Sequence, residues 1–327
     1  MIRKTDAAPF GAIDRRTLLA AAAGAGVIAA APPIEDNAGT ETIRLWPGDP
    51  PGLPVELPEA SLKKEGGGGR REFRLRGVAA PVLSVYRAAE PNGAAIVAIP
   101  GGGFAYVSVQ NEGTAVARRL TAMGYTVLVL SYRLPAEGWT NRTDAPVQDA
   151  IRAMRVARAQ AGALRVAPDR VGVLGFSAGG HLAASLATGW DEPLYEAVDA
   201  ADRASPKPAF VGLAYPVTTL QPPCAEIASR RNLLGPDPDA ALVAKRSPVT
   251  RIGKETAPCF LVHALDDPIV NPACSIAWVA ACHGAGVLIE AHLLEKGGHG
   301  FGVGLPAANP GAAWPDQFRL WAARHGG

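Results

Sequence analysis

Val171-Gly172-Val173-Leu174-Gly175-Phe176-Ser177-Ala178-Gly179-Gly180-His181-Leu182-Ala183-Ala184 is the stretch on which the reading of the whole chain turns. Its first four residues are an apolar strand sequence, and 181–184 open an alanine-rich helical one. Between them stands Gly175-x-Ser177-x-Gly179. Strand, sharp turn and helix in that order is the setting of a nucleophile elbow. The turn needs glycine two residues to either side, because strand and helix backbones approach so closely that a Cβ would clash. Ser177 then projects at the carboxyl end of the strand, where α/β sheets bind ligands.

Outward from this stretch, apolar runs rich in Val, Ile and Leu alternate with alanine-rich stretches. They predict strands over 82–86, 94–99, 126–131, 171–174, 210–214, 260–264 and 288–293, and helices over 112–123, 146–161, 178–187, 272–283 and 315–324. Continuous apolar strands separated by helices call for a mostly parallel sheet covered on both faces, so the fold class is α/β and doubly wound. Residues 32–80 read as an N-terminal extension and linker, with a flexible turn at Gly66 to Gly69, Arg70 and Arg71. Residues 81–327 read as the catalytic domain, with a proline-rich insertion near 217–250 that sits over the sheet and shapes a pocket. Arg152, Arg155 and Arg158 recur every third residue and read as a solvated helix face.

Partners for Ser177 follow from chain order, which in an elbow protein of this kind runs serine, carboxylate, histidine. The strand over 260–264 runs into Asp266-Asp267-Pro268. Asp267 is preferred because Pro268 stiffens the loop directly after it, with Asp266 as the alternative. Of six histidines, His181 and His263 precede the acid, His283 closes a helix, His292 lies in a strand and His325 is terminal. His299 remains, in the glycine loop Gly297-Gly298-His299-Gly300 after the last strand. Pro100-Gly101-Gly102-Gly103-Phe104 follows the strand over 94–99, and consecutive glycines let amides approach a ligand closely. The amides of Gly102, Gly103 and Ala178 are therefore the expected oxyanion donors. Phe104, Tyr106 and Trp139 are candidate pocket linings, and Tyr132 and Arg133 are expected to brace the loop.

Composition narrows the partners. Lys plus Arg number 32 and Asp plus Glu 30, a net charge of +2, so no field gathers nucleic acid. No cluster of His, Cys and Asp has ligand spacing and no glycine loop carries a Walker lysine, so neither metal nor other cofactor is expected. Residues 1–31 read as an export signal: Arg3, Lys4, Arg15 and Arg16 precede an apolar run over 17–31 that ends in small residues. That run is too short for a comfortable membrane span. Arg15-Arg16 resembles a twin-arginine signal, with ordinary export or an uncleaved anchor as alternatives. The expected location is periplasmic or secreted, where disulfides can form. Cys274 and Cys282 fall on one helix, roughly 12 Å apart, too far to bridge. Cys259 reads as a buried small hydrophobe.

Taken together, P-G-G-G-F (100–104), S-Y-R-L-P (131–135), the segment 169–183, D-P-I-V (267–270) and G-G-H-G-F (297–301) resemble the esterase branch of the α/β-hydrolase superfamily. The likeness covers about residues 80–325 and extends to exported acetyl xylan and feruloyl esterases and to hormone-sensitive-lipase-like enzymes. It implies hydrolysis of short acyl esters on a small-molecule or oligosaccharide substrate. Where such enzymes carry His-Gly-Gly-Gly, this chain has Pro100, which removes one side-chain brace from the loop. A peptidase or lipase of the same fold is the alternative, as is an inactive carbohydrate-binding protein on this scaffold.

Overall fold

Strands apolar along their whole length have no face to turn to water, so they become central strands with helices above and below. The computed structural model describes residues 41–66, 72–222, 224 and 228–327. Its strands are β1 (Thr42–Arg44), β2 (Ser61–Glu65), β3 (Glu72–Arg76), β4 (Val82–Tyr86), β5 (Ala95–Ile99), β6 (Val107–Ser108), β7 (Thr126–Ser131), β8 (Val171–Phe176), β9 (Val211–Ala214), β10 (Cys259–Ala264) and β11 (Ile289–Leu294). The helices are α1 (Ala115–Thr121), α2 (Ala145–Ala159), α3 (Ala161–Leu164), α4 (Ser177–Gly189), α5 (Ala228–Leu234), α6 (Ala240–Lys245), α7 (Ala273–Ala285) and α8 (Trp314–Ala322).

Eight strands form one sheet in the order β1-β4-β7-β5-β8-β9-β10-β11. From β7 to β11 every pairing is parallel, while β4 runs antiparallel to both neighbours. All residues of β5, β7, β8, β9 and β10 are buried. Successive side chains of β5 divide between two cores: Ala95, Val97 and Ile99 pack with Met154, Leu182 and Trp278, whereas Ile96 and Ala98 share a core with Leu120 and Phe318. Helices α2, α4 and α7 thus cover one face and α1 and α8 the other, the layering expected of a doubly wound sheet.

Departures from the expected pattern are local. The helix expected over 112–123 opens with a wide π-type turn, Gln110–Thr114, before α1, and the turn carries the buried Glu112. Such widened turns often mark functional sites. Arg152 is not solvated: it is 1% exposed, donates to the Leu45 carbonyl at 2.7 Å and pairs with Asp202 at 2.9 Å. The turn Ala200–Arg203 and the N-terminal segment lie over α2 and exclude water there. Residues 41–80 contribute β1, β2 and β3, the last two forming a small sheet in the order β2-β3-β6. Cys224 and Cys274 are joined by a disulfide, and Cys259 and Cys282 are buried free thiols. The export signal and the Gly67 to Arg71 turn lie outside the described residues. Among the described residues no helix is long and apolar enough to cross a membrane.

His181, on the first turns of α4, is fully buried and its Nε2–H donates to the Arg246 carbonyl at 2.8 Å. Burial pulls its pKa from the ordinary 6.5 down to about 4. The unfolded chain therefore binds a proton that the fold refuses between those values. Stability falls as pH drops from about 6.5 to about 4, by about 3 kcal/mol from this group, and the loss is complete below that. Denaturant unfolding at pH 7 and pH 4.5 should show a smaller pH difference for His181→Gln than for the parent; equal differences would remove His181 from the account.

Candidate active site

Ser177 is the first residue of α4, directly after β8, with φ +52°. A residue with a Cβ adopts this left-handed conformation only where its surroundings hold it. The two flanking glycines explain how. A Cβ on Gly175 would lie 2.3 Å from the Gly179 carbonyl oxygen, and one on Gly179 would lie 2.0 Å from that of Ile99. No other residue type fits so close to backbone.

The elbow meets two loops at the carboxyl ends of β10 and β11. Ser177 Oγ lies 2.9 Å from His299 Nε2, and His299 Nδ1 lies 2.7 Å from Asp267 Oδ2. Because a carboxylate only accepts, Nδ1 carries the proton, leaving the Nε2 lone pair towards the hydroxyl. Asp267 Oδ1 accepts the amides of Ile269 and Val270 at 2.8 and 2.9 Å. Burial alone would raise the Asp267 pKa, but the bonds from His263 and His299 outweigh it and hold the carboxyl well below the usual range. Asp266, the alternative acid, faces elsewhere: it accepts the amides of Gly297 and Gly298 at 2.9 and 2.8 Å and so pins the loop that carries His299.

Two contributors escaped the sequence reading. His263, set aside because it precedes the acid, donates from Nε2 to Asp267 Oδ2 at 3.0 Å and accepts from the Ser275 hydroxyl at 2.7 Å. Its position four residues before Asp267, at the end of an apolar strand, was the available signal. Glu112 is fully buried; its Oε2 accepts the Gly101 amide at 2.7 Å and its Oε1 the Tyr215 hydroxyl at 2.8 Å. Tyr215 in turn accepts the Gly302 amide at 2.9 Å. Burial raises the Glu112 pKa, opposed by these two bonds. One carboxylate thereby ties the glycine loop after β5 to the loop that bears His299.

Gly102 (φ +124°) and Gly103 (φ +63°) line a cavity of about 760 Å³ together with Ser177 and His299. Ala178 stands in the first turn of α4, next to Ser177. The loop is braced by Tyr132, which donates to the Pro100 carbonyl at 3.0 Å, and by Asn232 of α5, which donates to that of Gly103 at 2.7 Å. Insertion 217–250 therefore reaches the cavity through α5. Arg133 is held by Asp149, with Nε 3.0 Å from both carboxylate oxygens, rather than by the loop. Of the three aromatic candidates only Tyr106 lines the cavity. Phe104 is fully buried, its ring edge-to-face with Tyr132 and His181. Trp139 is buried under the Arg133 guanidinium, 4.9 Å from the ring centroid. Both are core packing, because their side chains turn inward from the loops that carry them. Among the described residues no group of three or more His, Cys, Asp or Glu side chains is gathered so as to hold a metal ion.

A mostly parallel sheet of this order, with serine, imidazole and carboxylate meeting at its carboxyl edge, defines an α/β-hydrolase resembling the carbohydrate esterases. The chain belongs to the BD-FAE family, whose profile matches residues 83–281. Over 218 residues it is 32% identical to an acetylxylan esterase of Xylanibacter ruminicola, a match covering 65% of this chain and 42% of that protein. Over 208 residues it is 28% identical to endo-1,4-beta-xylanase B of Butyrivibrio fibrisolvens, covering 64% of this chain and 32% of the other. The chain thus spans less than half the length of these curated relatives. Among solved structures it is similar to an acetyl ester-xyloside bifunctional hydrolase from Caldicellulosiruptor lactoaceticus, with a TM-score of 0.70 at 29% identity over 87% of this chain and 96% of that one. A carboxylesterase from Lactobacillus plantarum shares the fold, with a TM-score of 0.62 at 23% identity over 82% of this chain and 98% of that one.

Proposed function

We propose that this protein is a serine carboxylic-ester hydrolase that removes short acyl groups, acetyl foremost, from carbohydrate esters by way of an acyl-enzyme. The observation that carries this reading is the unbroken series Asp267, His299, Ser177, joined at 2.7 and 2.9 Å and opening on a cavity. His299 Nε2 takes the hydroxyl proton as Ser177 Oγ attacks the ester carbonyl. Amides of Gly102, Gly103 and Ala178 receive the developing oxyanion. His299 then returns its proton to the departing sugar oxygen, and water, deprotonated by the same imidazole, releases the acid. Asp267 keeps the proton on Nδ1 throughout and stabilises the imidazolium. The names of the acetyl-ester relatives support the acyl and sugar assignment, and the basic, apolar run before residue 32 supports action outside the cytoplasm.

A fluorophosphonate probe tests the centre directly. One equivalent is expected on Ser177, located by peptide mass, together with acetate release from acetylated xylan that exceeds turnover of triglyceride or peptide anilide. Labelling at another residue, or faster cleavage of the anilide, would overturn the proposal.

Glu112 supplies a graded check on the loop. Glu112→Ala leaves the Gly101 amide and the Tyr215 hydroxyl unpartnered and is expected to lower kcat by about 10²-fold with KM little changed, as when oxyanion donors are misplaced. Glu112→Gln can still accept from Gly101 and donate to Tyr215, and should lose less than about 10-fold. Equal losses in the two variants would point to the charge instead of the anchoring.

A further inference from the structure

The cavity is much larger than an acetyl group requires. Pockets of about 300–1,000 Å³ hold a drug-sized molecule, so 760 Å³ leaves most of the space to whatever bears the ester. One wall of that space comes from the small sheet. Glu72 and Arg74 alternate on β3, so they share a face, and both line the cavity. Leu75 turns the other way into the core, with Phe73 packed against that core. Ser108 of β6 pairs with Arg74 across the ladder and also faces the cavity, as does Tyr106.

These groups hold one another in place. The Ser108 hydroxyl donates to Glu72 Oε2, Arg74 Nε approaches Glu72 Oε1 at 3.4 Å, and the Arg74 guanidinium lies over the Tyr106 ring, 4.3 Å from its centroid. Side chains of Arg74 and Glu72 retain 25% and 18% exposure. The wall therefore offers fixed donors and acceptors at little ordering cost to a ligand. One positive and one negative group make this wall nearly neutral, and the further carboxyl of the lining, Glu112, has both oxygens engaged by the Gly101 amide and the Tyr215 hydroxyl, so neither an anion nor a cation is favoured. An acyl chain laid against it would desolvate both charged groups without replacing their hydrogen bonds. A neutral ring carrying several hydroxyls would replace them. Ser229 and Asn232 of α5 add further hydrogen-bonding groups to the cavity lining.

We propose that the cavity-facing side of β3 and β6, through Glu72, Arg74 and Ser108, binds the alcohol part of the substrate, a sugar ring of a neutral, partly acetylated oligosaccharide. This rests on the esterase reading above and adds to it the group that selects sugar esters over lipid esters.

The test compares an acetylated xylo-oligosaccharide with p-nitrophenyl acetate, which has no sugar, in the full chain and in Arg74→Ala and Glu72→Gln. The ratio of the two kcat/KM values, sugar ester over aryl ester, is expected to fall by about 10- to 100-fold in each variant, mainly through KM. Glu72→Gln keeps the shape of the side chain, so it reads the contact even if Arg74→Ala disturbs the hairpin. Calorimetry of deacetylated xylo-oligosaccharide binding to Ser177→Ala, with and without Arg74→Ala, measures the same contact without turnover; a weakened Kd is expected. An unchanged ratio together with an unchanged Kd would overturn the subsite. Absence of p-nitrophenyl acetate hydrolysis by the parent chain would overturn the esterase reading instead.

Discussion

Ser177→Ala is expected to lower kcat for p-nitrophenyl acetate by on the order of 10⁴- to 10⁶-fold, the range seen when a triad nucleophile is removed. The loss should be chemical rather than structural. Alanine keeps the Cβ, so the φ of +52° at this position is neither relieved nor worsened, and only the bond to His299 disappears. Unfolding free energy should therefore change by about 1 kcal/mol or less. Ser177→Gly sharpens the point: it should be equally inactive yet more stable than Ser177→Ala, by about 1 kcal/mol, because glycine adopts positive φ without strain. Stopped assays and denaturant titration of both variants check the pair of claims. Residual activity above about 1% in either would place the nucleophile elsewhere.

Asp267→Asn should cost about 10⁴-fold in kcat, for a reason written in its hydrogen bonds. Two imidazoles donate to Oδ2 and two backbone amides donate to Oδ1. Asparagine accepts only through its oxygen and donates through its NH2 group. If its oxygen faces the imidazoles, its amide meets the N–H groups of Ile269 and Val270. If it faces the backbone, the amide meets Nδ1–H of His299 and Nε2–H of His263. His299 is then driven to the tautomer with a proton on Nε2, which cannot accept from Ser177. The first placement leaves the Ile269 and Val270 N–H groups unpaired and the second forces the imidazoles out of their native tautomers, so stability should also fall, by about 1–3 kcal/mol. Kinetics that matched the parent within about 10-fold would mean that another carboxylate, Asp266 first, orients the imidazole.

The substitution of proline for histidine at the head of the glycine loop shows where reading by residue order stops. Pro100 implied a missing brace, and in the fold the brace is supplied by three side chains from distant places: Tyr132 on the Pro100 carbonyl, Glu112 on the Gly101 amide and Asn232 on the Gly103 carbonyl. Of the three, Tyr132 was expected as a brace from the sequence, whereas Glu112 and Asn232 lie in no pattern that local spacing could register. His263 was lost for a related reason. Chain order excludes it as a base, yet order says nothing about which side chain shares a carboxylate across a loop.

The linear chain by itself determined seven of the eight strands of the main sheet, all but β1, together with the elbow and the three side chains that meet there. Period, branching and the glycines at 175 and 179 are local properties, and strand ends set where the acid and base loops must emerge. Tertiary structure alone decided which candidates face the cavity. Phe104 and Trp139 turned into the core, Arg152 went under the N-terminal segment, and Glu72 and Arg74, read as part of a linker, came to line the space beside Ser177. Such outcomes depend on contacts between residues far apart in sequence, where a side chain is buried or presented by what lies opposite it and not by its own neighbours.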